Sequence, residues 1–210
     1  MANNNDSINL KQFDTDCRNI YIFDDIDNMI ALNIKKQIDN IVKQDNEVIE
    51  YNKAELEKLY GKEVESINFK KHIPEINIYL STYGGSCYDG LQIFDAISAL
   101  NKHCPVNIIV SGKCMSMGIV ILLAVPYKNR FATENATFLI HQPSSMAFGK
   151  AADLEDATAE TKRLTDIIYK IIVDNTDITQ EDVEKNYNTK KDWILTSDEA
   201  KDLKLIYKVK

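Results

Sequence analysis

Apolar positions along the chain switch between a spacing of two and a spacing of three to four, and this switching predicts strands alternating with helices. Ile20, Tyr21, Ile22 and Phe23 form a short β-rich run; Asp27 then caps a helix on which Ile30, Ile34, Ile38 and Ile41 share one face. From Gln44 to Lys71 the composition turns polar, and Asn52 with Glu55 three residues on predicts a separate short helix carrying Leu56 and Leu59 and closed by Gly61. Residues 44–71 therefore read as an insertion decorating a single domain. After Pro74 come a strand over 76–80, a helix over 89–100, a strand over 106–110 and a helix from about Ser116. Short strands over 130–133 and 137–140 follow, with Glu134 and Asn135 suited to a tight turn. A long helix over 151–173 puts Leu164, Ile167, Ile168, Ile171 and Ile172 on one side, while its first half is poor in large apolar residues and is expected to project. Thr196 and Glu199 have capping-box spacing for a last helix, and a strand over 205–209 closes the chain. The class is α/β with right-handed crossovers. Residues 1–18 show no periodicity and read as a flexible N-terminal arm before a domain spanning 19–210.

Composition narrows the function more than the fold. A chain of 210 residues, 44% hydrophobic and 27% charged, suits one globular domain. Its net charge of −7 disfavours nucleic acid and anionic lipid as partners. The longest apolar run, over 119–125, is far short of the roughly 20 residues needed to span a bilayer. Cys17, Cys87, Cys104 and Cys114 form no Cys-x-x-Cys pair and His72, His103 and His141 are widely spaced, so no metal site is expected. Free thiols and the absence of a secretory signal point to the cytoplasm.

Three segments place reactive residue types at element ends. Gly112 to Gly118 joins a strand to an apolar helix and puts Ser116 at the helix N-terminus, where free N–H groups favour developing negative charge. Read alone, Ser116 is more often an ordinary helix cap. His141 ends a strand just before Pro143, and an imidazole is suited to take a proton near neutral pH. His72, beside Lys70 and Lys71, and His103, beside Lys102, read as solvated loop residues. The Tyr83-Gly84-Gly85-Ser86 turn leaves N–H groups free, although a purely structural turn explains it too. No Gly-Lys-Ser/Thr follows, so it is not a phosphate loop, and no cofactor is implied.

In this order, the segments resemble the Clp protease (ClpP) family of self-compartmentalised serine peptidases, over about 20–209 interrupted by the insertion at 44–71. Tyr83 to Ser86 is similar to the family's Pro-Gly-Gly loop, Gly112 to Gly118 to its Gly-x-Ala-x-Ser-Met-Gly segment, and Phe138 to Pro143 to its Met-Ile-His-Gln-Pro segment. Asp192, followed by Trp193, Ile194 and Leu195, resembles the family's Asp segment. The resemblance implies a ClpP/crotonase-like fold of repeated β-β-α units with a protruding handle helix. It also implies a Ser116, His141, Asp192 triad with an oxyanion hole at the Gly85 and Met117 N–H groups. It further implies a homo-oligomer of stacked heptameric rings, fed unfolded polypeptide by an AAA+ unfoldase of the ClpX, ClpA or ClpC type.

Several positions depart from the family pattern: Tyr83 replaces the loop proline, Ser145 and Met146 replace a Gly-Gly pair, and Lys191 replaces an arginine. Asn77, Ser111 and Thr133 are more polar than is usual on the unfoldase-docking surface. These departures keep a second reading in view, a catalytically weak or regulatory subunit of the same fold.

Overall fold

The computed structural model describes residues 9–210 apart from Ser145 and Lys190. Residues 1–8 of the expected arm lie outside the described residues. The main sheet is built from β1 (Asn19–Ile22), β2 (Ile76–Thr82), β3 (Val106–Met115), β4 (Arg130–Ala132) and β7 (Lys208–Val209), all parallel and hydrogen-bonded in that order. The crossovers carry α1 (Asn28–Tyr60), α2 (Cys87–Leu100) and α3 (Met117–Leu122). Ile20 and Ile22, Ile76, Ile78 and Leu80, and Val106, Ile108 and Val110 are buried on one face. The alternate residues Asn77, Tyr79 and Ser81 are only half-buried, whereas parallel strands are normally covered on both sides. On that open face Tyr21 stacks on Tyr79 at 5.2 Å and meets Phe23 edge-on at 5.7 Å.

A branch in β3 positions the chemistry described below. Leu80 pairs with Val110 but Thr82 pairs with Cys114, so β3 carries a bulge around Gly112, whose φ is 77°. Before the bulge β3 pairs with β4, at Ile108 to Val110; beyond it Lys113, Cys114 and Met115 pair with β5 (Thr137–Ile140). The turn at Glu134 and Asn135 forms as expected, Ala136 N–H donating to the Thr133 carbonyl at 3.1 Å. It makes no hairpin: β4 and β5 both run parallel to β3 and lie beside different stretches of it. A short β6 (Trp193–Leu195), not anticipated from its sequence, pairs antiparallel with β5.

The polar stretch after Gln44 differs most from the sequence reading. Instead of two helices, α1 runs unbroken for 33 residues. No glycine or proline interrupts it, and exposed pairs one turn apart, Lys35–Asp39, Lys43–Glu47 and Lys53–Glu57, line its surface. Asn52 is buried and caps nothing; its amide exchanges two hydrogen bonds with the Lys11 backbone, at 2.8 and 2.9 Å. That contact and the burial of Arg18 tie residues 9–18 to α1, where the sequence suggested a free arm. His103 is not solvated either, because its Nε2 lies 3.0 Å from the carboxylate of buried Asp45.

Past the sheet, α4 (Ala151–Asn175) leaves its first half exposed and buries Leu164, Ile168, Tyr169 and Ile172. It precedes α5 (Gln180–Thr189), which the sequence reading missed, and α6 (Ser197–Asp202), which has the expected Thr196–Glu199 capping box. Ser144 and residues 146–150 form no strand; Met146 and Phe148 stand 83% and 87% exposed. Arg130 bolts these parts together, with no carboxylate partner among the described residues. Fully buried, it donates to the carbonyls of Val125, Asn175 and Lys204, and desolvation lowers its pKa to about 10, which leaves it charged at neutral pH.

Candidate active site

Ser116 stands between β3 and α3 with φ 53° and ψ −119°, a conformation non-glycine residues seldom adopt and one that costs about 1–3 kcal/mol. The backbone is held in it from both sides. Its N–H donates to the Leu139 carbonyl of β5 at 2.9 Å, and its carbonyl accepts from Ile119 N–H at 3.0 Å. The side chain makes no capping hydrogen bond to α3, which separates the two readings of this residue open at the sequence level. The six residues of α3 are all buried, so the turn is anchored in the core.

His141 follows the last residue of β5, and Asp192 precedes the first of β6. The final rung of that antiparallel ladder pairs Ile140 with Trp193, so His141 and Asp192 occupy the next position on each strand, where side chains of facing residues lie on the same side of the sheet. Asn186 of α5, nine-tenths buried, donates from Nδ2 to the Lys191 carbonyl at 2.7 Å and holds the approach to Asp192. Sequence reasoning missed this residue because nothing local marks its target. His141 is half-buried and Asp192 is exposed. No hydrogen bond joins the Ser116, His141 and Asp192 side chains to one another in the single chain. Topology brings the three segments to one end of neighbouring strands, and it leaves the final contacts unmade.

The glycine turn closes on the same spot. A side chain at Gly84 would place Cβ 2.6 Å from Ser116 Cβ and 2.8 Å from the Met115 carbonyl, and one at Gly85 would lie 2.2 Å from the Ile26 carbonyl. Their φ values are 101° and 145°, so glycine is required both for conformation and for space. Ile26 N–H donates to Gly84 O at 2.7 Å and Ser86 N–H donates to Ile26 O at 2.8 Å, a bridge that uses neither the Gly85 N–H nor any group of α3. The Met117 N–H is at the first helical position, with no carbonyl one turn behind it to bind. Among the described residues neither the Gly85 nor the Met117 N–H has a main-chain partner.

Ser116 and His141 line one small cavity, of about 20 Å³, with Cys87, Met117, Ile119, Ile140, Pro143, Ile168 and Ile172. Apart from the hydroxyl, the imidazole and the Cys87 thiol the lining is apolar. Ile168 and Ile172 are the one-turn pair visible in the sequence pattern of α4; nothing in that pattern said which element they face. A roomier groove of about 530 Å³, lined by Leu10, Phe13, Leu56, Ile67 and Phe69, lies away from Ser116 and holds no such pairing. Among the described residues no cluster of three or more metal-ligating side chains occurs, and no helix is long and apolar enough to cross a membrane.

A model of the Clp protease family matches residues 49–210. The chain belongs to the Clp protease family. The match takes in the last third of α1 and the segment after it, up to Lys71, part of the stretch read from sequence as an insertion. Among curated relatives, the ATP-dependent Clp protease proteolytic subunit of Porphyromonas gingivalis is 36% identical over 135 residues, which cover 64% of this chain and 59% of that protein. Among solved structures, a mutant of ClpP1 from Listeria monocytogenes superposes with a TM-score of 0.70 over 93% of this chain and 92% of that chain, at 23% identity. The ClpP fold expected from the sequence motifs is therefore the fold observed, with a one-sided parallel sheet, a branch at β3 and the long helix α4.

Proposed function

We propose that this Clp protease family member is the proteolytic subunit of a compartmentalised serine endopeptidase that cleaves unfolded polypeptide through Ser116, His141 and Asp192. The observation that carries the reading is the state of the Ser116 hydroxyl: excluded from helix capping, set on a strained turn, and sharing a cavity with an imidazole. Ser116 Oγ attacks the peptide carbonyl as His141 takes its proton. The oxyanion develops toward the N–H groups of Gly85 and Met117. His141 then protonates the leaving amine, and water repeats the sequence on the acyl-enzyme. Asp192 orients the imidazole and stabilises its cationic form. No cofactor takes part.

Family resemblance supplies the assembly: stacked heptameric rings joined through α4, with an ATP-driven unfoldase feeding the chamber in the cytoplasm. The exposure of Met146 and Phe148, beside the solvated first half of α4, supports a second copy packing there. A catalytically weak assembly subunit is the alternative, favoured by the exposed Asp192 and the unmade contacts among the three side chains. A fluorophosphonate probe separates the two. Covalent labelling at Ser116 in the assembled protein supports the peptidase, and no labelling where an active relative labels removes it. Gly85→Ala is expected to lower peptide hydrolysis roughly 10²-fold, the size of one lost oxyanion donor, because the new Cβ pushes the turn off Ile26. Steady-state kinetics on a fluorogenic peptide checks this, and an unchanged rate would place the oxyanion donors elsewhere.

A further inference from the structure

We infer that Cys87 sets the size of the residue accepted immediately before the cut bond, and that this protein cuts after small aliphatic residues such as alanine. The inference rests on the peptidase reading and sharpens it. The cavity shared by Ser116 and His141 is the recess next to the attacking oxygen, so the side chain preceding the scissile carbonyl is the part of a substrate that reaches it. Its free space, about 20 Å³, is close to that of one water-sized group. A methyl fits; a leucine or phenylalanine does not without displacing a wall.

Most of the wall is fixed. Met117, Ile119, Ile140, Ile168 and Ile172 are each at least 95% buried and belong to the main core. Cys87 differs from them. It is only half-buried, it occupies the first position of α2, just after the Ser86 cap, and its thiol has no hydrogen-bond partner among the described residues. Of the half-buried lining residues, Ser116 and His141 carry the chemistry and Pro143 is a rigid ring, so the size of Cys87 is the free variable of the recess. Burial raises the pKa of the Cys87 thiol, which keeps it protonated, so it lines the cavity and does not compete with Ser116 as a nucleophile.

Two measurements test this. In the assembled wild-type protein and the variants Cys87→Gly and Cys87→Leu, kcat/KM is compared on otherwise identical peptides with alanine or leucine before the cut. One methylene in an apolar pocket discriminates roughly 10- to 200-fold. Wild type is expected to favour alanine, Cys87→Gly to move the ratio toward leucine by at least about 10-fold, and Cys87→Leu to depress both substrates. The second measurement needs no catalysis. In Ser116→Ala, methyl methanethiosulfonate converts the Cys87 thiol to a methyl disulfide and releases methanesulfinate, and mass spectrometry follows the rate. A product-like peptide ending in alanine is expected to slow this several-fold, and one ending in phenylalanine to leave it unchanged. Protection by the alanine peptide alone supports the assignment of Cys87 even if wild type fails to label with fluorophosphonate. Equal or absent protection, or an alanine-to-leucine ratio unmoved by both variants in a labelling-competent protein, overturns it.

Discussion

Ser116→Ala is expected to abolish fluorophosphonate labelling and to lower peptide hydrolysis by roughly 10⁴-fold or more, while leaving the unfolding midpoint where it was. The two halves of this outcome come from the same observation. A serine that caps a helix contributes about 1 kcal/mol through its side chain, and alanine forfeits it. Here the hydroxyl makes no capping bond, and the backbone is held by the Leu139 carbonyl and Ile119 N–H, contacts that alanine keeps. Alanine also bears the same strain at φ 53°, so the change in stability should stay within about 0.5 kcal/mol. Loss of rate without loss of stability marks a group used in chemistry. Loss of stability with retained rate would make Ser116 the ordinary cap that its segment alone favours.

Local patterns were readable where a residue acts on its own neighbourhood. Asp27 accepts from Ile30 N–H as an N-cap, Thr196 and Glu199 close their box, and the Gly84–Gly85 pair sits where positive φ is needed. Each is decided within a few residues. The pairing of β4 and β5 with separate stretches of β3 was not readable, because the bulge at Gly112 that separates them looks in sequence like any glycine after a strand. Nor was β6, a run of three residues whose strand character comes from β5 beside it. The site divides the same way. Ser116 and His141 stand at element ends that sequence can mark, but Asp192 was chosen among 32 acidic residues only by family resemblance. Its position opposite His141 is a matter of strand register, and register between segments about fifty residues apart has no local signal.

The same limit explains the buried charge cluster among the described residues, where the largest effect on stability is expected. Arg18 and Asp45 read in sequence as ordinary charges, one at the end of a polar arm and one at the start of the polar stretch after Gln44. In the fold their side chains are 5% and 2% exposed and paired by both guanidinium NH groups, and His103 Nε2 lies 3.0 Å from the same carboxylate. Arg18 Nε also donates to the Asp14 carbonyl at 3.0 Å. Three separate pieces of chain meet at Asp45: the segment entering β1, the middle of α1 and the turn between α2 and β3. Arg18→Ala leaves Asp45 buried with only an imidazole beside it, and removing one partner of a buried pair costs about 3–5 kcal/mol. Equilibrium urea unfolding should show that loss as a lower midpoint. Arg18→Met combined with Asp45→Leu should recover most of it, since two apolar side chains of similar volume need no compensating charge. A small effect of Arg18→Ala would mean that water reaches Asp45 and that residues 9–18 are held to α1 by the Asn52 contacts instead. If the double variant were as unstable as the single one, packing of the arginine stem, not its charge, would be what joins the three segments.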